Sequence, residues 1–115
     1  MSKKLGYREI KKIAGQLGWS VSKAGKDIEL AQCSPAGEDF RFNISGNDYV
    51  KDITDYAYNF DIDEHIELWA SLSAKEKARM GVPCTRVLVD DARAIKSMLD
   101  KLVKEVRAYY EKENI

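Results

Sequence analysis

Phe40-Arg41-Phe42-Asn43-Ile44, with Trp19-Ser20-Val21 and Ile28-Glu29-Leu30 before it, decides the fold, because apolar and polar residues alternate one by one in all three stretches. A period of two places alternate side chains on opposite faces of a strand, so each segment reads as a strand with one buried face. Lys23-Ala24-Gly25-Lys26 and Ser34-Pro35-Ala36-Gly37 supply turn chemistry between the strands. The simplest connection is then a three-stranded antiparallel meander.

Working outward, the period changes to that of a helix on both sides. Ile10, Ile13, Ala14 and Leu17 follow the i, i+3, i+4, i+7 rule, which predicts an amphipathic helix over about residues 7–17, closed by Gly18. After the third strand Val50, Ile53, Ala57 and Phe60 share a helix face, with Asn47 or Asp48 as its N-cap. Asp61-Ile62-Asp63-Glu64 has the form of a capping box and opens a short helix; Ser73-Ala74-Lys75-Glu76 repeats the device before Gly81 and Pro83. Leu88, Ala92, Ile95, Leu99, Leu102, Val106 and Tyr109 then alternate steps of four and three, predicting a final helix of about 25 residues. That stripe could form a coiled-coil seam in a weak homodimer, but Met98, Val103 and Tyr110 widen it, and the sheet face bearing Trp19, Ile28, Phe40 and Phe42 needs a cover. The expectation is a single α+β domain over residues 1–115, of αβββα-like order. Its three-stranded antiparallel sheet packs against the N-terminal and long C-terminal helices, with short helices between.

The composition agrees with such a domain: 115 residues, 44% hydrophobic and 33% charged, enough for one core and too few for two. Nineteen basic residues balance nineteen acidic ones, so nucleic-acid binding is expected only through a local patch. The longest uncharged run, residues 13–22, is too short and polar for a secretory core, and nothing approaches a membrane span. Cys33 and Cys84 are in no C-x-x-C pair and read as reduced, buried small hydrophobes. A cytoplasmic protein without membrane contact is expected.

The search for chemistry is mostly negative. His65 is the single histidine; Asp61 lies four residues before it, on the same helix face, as a general base and its orienting carboxylate would. No second histidine or nearby cysteine completes a metal set, and the competing reading packs His65 on Phe60. Counted as a calcium loop from Asp61, Ile66 and Leu72 occupy the positions of the turn glycine and the bidentate glutamate, which excludes that motif. Phosphate-cradling glycine loops do not occur. The expectation is a protein without catalytic residues, cofactor or metal.

Charge is distributed unevenly. Residues 1–26 hold seven basic and one acidic side chains, residues 27–72 two and eleven, and residues 73–115 ten and seven. In the acidic middle Asp48, Asp52 and Asp55 are spaced along one helix face, and Asp61, Asp63, Glu64 and Glu67 continue the charge into the next helix. These seven are the candidate contacts for a protein partner with a basic groove; the alternative is a solvated face. Asp48, Asp52 and Asp55 lie off the apolar stripe, so their reversal to Lys is expected to spare the fold. The opposing candidate is a nucleic-acid patch at Lys4, Arg8, Lys11 and Lys12 on the first helix.

In the stretches Ser34-Pro35-Ala36-Gly37-Glu38-Asp39-Phe40, Asn59-Phe60-Asp61-Ile62-Asp63-Glu64-His65-Ile66-Glu67-Leu68-Trp69, and Gly81-Val82-Pro83 followed by Leu88-Val89-Asp90-Asp91-Ala92, the chain resembles small uncharacterised proteins encoded on mobile genetic elements of gut Firmicutes. Cys84 stands where that group favours Ser after the proline. The resemblance carries no activity or site residue to transfer. It implies a setting in which small proteins block host defence, including anti-CRISPR and antirestriction proteins.

Overall fold

The computed structural model of the chain describes residues 5–35, 37–45, 48–71, 79 and 85–113. Lys4, Asn47, the Ser73–Glu76 device, Gly81, Pro83 and Cys84 lie outside them. The described elements run α1 (Tyr7–Gln16), β1 (Ser20–Ala24), β2 (Asp27–Cys33), β3 (Asp39–Ile44), α2 (Tyr49–Asn59), α3 (Ile62–Ala70) and α4 (Thr85–Glu113). The fold is α+β, with an antiparallel sheet in the order β1-β2-β3.

Local chemistry explains where the elements begin and end. The Glu9 carboxylate accepts the Gly6 N–H at 3.0 Å at the start of α1. At its other end Trp19 N–H donates to the Ala14 carbonyl and Gly18 N–H to that of Gly15, with Gly18 at φ +94°. This is a Schellman closure, which needs a left-handed residue. The β1–β2 hairpin turns through two residues, Gly25 and Lys26, because Ala24 pairs with Asp27 and Gly25 takes φ +66°.

Both registers put the apolar residues on one face: Val21 opposes Leu30, which opposes Phe42, and Ile28 opposes Ile44. Trp19, Phe40 and Phe42 meet edge-on or tilted at 5.5–6.2 Å between centroids. Cys33 has the opposite parity to Ile28 and Leu30 and is exposed. The expectation of a buried thiol fails there, because alternation along β2 carries that position to the solvent face.

Against the apolar face lie Ile10, Ile13 and Ala14 of α1 and Ile95, Leu99, Leu102 and Val106 of α4, all buried in one core. The stripe on α4 is thus consumed within the chain as far as Val106, with Tyr109 packed beside it. The expected cover of two helices is incomplete, since α2 contributes Ile53, Ala57 and Tyr56, whose ring stacks on Phe42 at 4.3 Å and 13°. Following β3 in the chain, α2 falls back on its own strand and covers the β3 end of the same apolar face, while α1 lies against β1. Helices α2 and α3 both pack against α4. Lys96 on α4 donates to the Ala57 carbonyl at 2.6 Å, which satisfies a C-terminal acceptor of α2 with a cation.

Candidate functional site

The acidic residues separate into two groups with different local roles. Asp48 is the N-cap of α2, its Oδ1 accepting the Lys51 N–H at 3.2 Å. Asp52 accepts from both the amide and the hydroxyl of Ser45, at 3.1 and 2.5 Å, tying the end of β3 to α2. Asp55 pairs with Lys51 at 2.7 Å, and that hydrogen bond raises the lysine pKa. Read in the sequence as one surface stripe whose reversal to Lys spares the fold, the three acids differ in local role. Two of them satisfy donors that a helix start and a strand end leave open.

On α3 the acids are disposed differently. Asp61 caps the helix, Oδ1 accepting the Glu64 N–H at 3.1 Å, while Asp63, Glu64 and Glu67 are exposed. Positions 61, 64, 65, 68 and 71 fall on one face of α3 at helical spacing. Ile62 and Ile66, both half-buried, fall on the opposite one. The first face and the last turn of α2 enclose an open groove of about 770 Å³, lined by Tyr56, Asn59, Phe60, Asp61, Glu64, His65, Glu67, Leu68 and Ser71. Its floor is aromatic and its rim carries three carboxylates. Leu68 stands 64% exposed beside it. Asp63 lies off the groove, near the side of the helix.

His65 is fixed from two directions. Its Nε2 lies 3.1 Å from Glu38 Oε2, with both side chains 17% exposed, and its ring meets Phe60 at 5.3 Å and Phe40 at 6.2 Å. Glu38 belongs to the β2–β3 loop, where its N–H donates to Ser34 Oγ at 3.0 Å. The Ser34 hydroxyl in turn donates to Asp91 of α4 at 2.6 Å, and both residues are buried. The polar run Asp91, Ser34, Glu38, His65 therefore joins α4, the hairpin loop and α3. Sequence spacing offered Asp61 as the orienting carboxylate of His65; the structure assigns that position to Glu38, 27 residues away. The serine proton is directed to Asp91 and not to the imidazole, whereas a nucleophile–base pair would direct it to the imidazole. Among the described residues no three His, Cys, Asp or Glu side chains converge as metal ligands.

The basic candidates sit elsewhere. Arg8, Lys11 and Lys12 are exposed on α1. The Lys11 and Lys23 ammonium groups lie 5.8 and 5.1 Å from the centroid of the Tyr7 ring, whose hydroxyl donates to the Val21 carbonyl. The sequence gives Lys23 to the turn and leaves Tyr7 out of the patch, whereas Lys23 lies within β1, paired with Ile28. Lys23 joins the patch because it shares the strand parity of Val21, on the helix-covered side of the sheet.

No family model, curated protein or solved structure matches the chain. No helix among the described residues is long and apolar enough to cross a membrane.

Proposed function

We propose that the chain is a non-catalytic protein-interaction module whose contact surface is the acidic face of α3, with Asp61, Asp63, Glu64 and Glu67 meeting a basic groove on a protein partner. The observation that supports this reading is the exposed Leu68 set with Asp61, Glu64 and Glu67 along an open groove. An apolar side chain rimmed by one sign of charge supplies contact area and orientation together. Asp48 and Asp52 are engaged by backbone and hydroxyl donors, so the partner surface centres on α3 and not on α2. The resemblance to mobile-element proteins suggests the class of partner: a host-defence protein that handles nucleic acid and therefore carries a basic groove.

Affinity capture from a host lysate, repeated with Glu64→Lys/Glu67→Lys, tests the reading. A retained partner that is lost on charge reversal, with an unchanged thermal melt, is the expected result. Retention unaffected by the reversal overturns it. The second reading, a nucleic-acid accessory protein using the basic α1 face, draws on the Tyr7, Lys11 and Lys23 cluster. Retardation of short duplex DNA or RNA at physiological salt, absent on the first reading, would establish the second.

A further inference from the structure

We infer that the groove between α2 and α3 receives a basic amphipathic helix of the partner, with an apolar anchor side chain inserted between Phe60 and Leu68. This rests on the reading of α3 as the contact surface and goes beyond it, because a purely electrostatic contact needs no groove.

The lining determines the chemistry of the occupant. Tyr56, Phe60 and Leu68 offer apolar area, and Phe60 is held by its edge-on contact with Phe40 at 5.9 Å. The floor is therefore set before anything binds, which lowers the ordering cost of association. Asp61, Glu64 and Glu67 stand along the rim, where Lys or Arg on the flanks of the occupant would neutralise them and an acidic or neutral segment would leave them unpaired. The lining residues in and flanking α3 recur once per turn, at positions 61, 64 and 65, 67 and 68, and 71. That ridge runs about 15 Å along the helix axis and matches the side-chain ridges of a second helix. The strand edges lie in the sheet and not at this groove, so strand addition does not compete here. Helix-in-groove recognition uses apolar anchors at i, i+3, i+4 and i+7.

Three synthetic peptides of equal length test the proposal, titrated into the isotopically labelled full chain and followed by amide chemical shifts. The first carries Leu at i, i+3, i+4 and i+7 with Lys and Arg elsewhere. The second replaces each Leu by Ser, and the third replaces each Lys and Arg by Glu. The expected result is saturable binding of the first alone, with shifts confined to residues 56–71. Leu68→Ser should weaken that binding by about fivefold, in keeping with the loss of buried apolar area. Glu64→Lys/Glu67→Lys should weaken it by more than tenfold. Equal binding of the first and second peptides, both lost on charge reversal and both indifferent to Leu68→Ser, overturns the groove and leaves the acidic surface standing. Binding indifferent to charge reversal, or shifts on α1, overturns both. No binding by any peptide overturns the inference, as do α3 shifts that follow protein concentration without peptide, since a second copy of the chain would then fill the groove.

Discussion

Gln32 is a polar residue at an inward position of β2, opposite Phe40, and its presence there is explained by the end of α1. Its Nε2 donates to the Leu17 carbonyl at 3.2 Å, while its Oε1 is buried without a hydrogen-bond partner. Gly18 lies against it: a Cβ built there would stand 2.6 Å from Gln32 Nε2, on a residue already at φ +94°. Gly18→Ala is therefore expected to cost more than about 1 kcal/mol, from left-handed strain and from displacement of the Gln32 amide. Urea melts of the two chains check this, and equal midpoints would refute it. Tyr56 offers a pH test. Burial against Phe42 raises its phenol pKa, so folding favours the neutral form. The stability it contributes is fully present below the unfolded pKa of about 10 and is lost as pH rises through the higher folded value. Tyr56→Phe should match the parent at neutral pH and outlast it above about pH 10, as thermal melts across that range would record.

Helix α2 shows how one sequence pattern conceals different roles. Asp48, Asp52 and Asp55 look alike as spaced acids, yet a capping carboxylate and a solvated one differ only in which donors lie nearby. Those donors are the Lys51 amide and Ser45 at the end of β3. Asp48→Ala is expected to cost about 1 kcal/mol through loss of the cap. Asp55→Ala should leave the melt unchanged, since both it and its partner Lys51 are exposed. Equal destabilisation by the two substitutions would contradict the division of roles. The beginnings of α2 and α3 were legible in sequence because capping is local, spanning three or four residues. The attachment of α3 was not: Glu38 to His65 spans 27 residues and Ser34 to Asp91 spans 57. Single polar pairs leave no periodicity to read, whereas the β2, β3 and α4 stripes repeat often enough to declare their buried faces.

The heptad-like stripe of α4 shows where those two kinds of signal meet. Sequence alone allowed it to serve a second chain or the sheet, and the buried set Ile95, Leu99, Leu102 and Val106 joins it to the sheet residues in one core. Leu102→Ala should accordingly cost about 2–5 kcal/mol and lower a single cooperative transition, as calorimetry would register. A noncooperative loss of the C-terminal half alone would contradict that packing. The meander has a further outcome for the behaviour of the chain in crowded solution. With β2 in the centre, β1 and β3 each have one strand neighbour among the described residues, and a strand edge of that kind is a template for a passing strand; on β1 the Tyr7 hydroxyl already donates to the Val21 carbonyl. On β3 the outward side chains are Asp39, Arg41 and Asn43, with Arg41 bridging Glu29 and Asp39 at 2.7 and 2.9 Å, while β1 is five residues long and carries Lys23. An incoming strand would have to desolvate that charge lattice, so the same ion pairs that add little to folding act as a guard against fibrillar stacking.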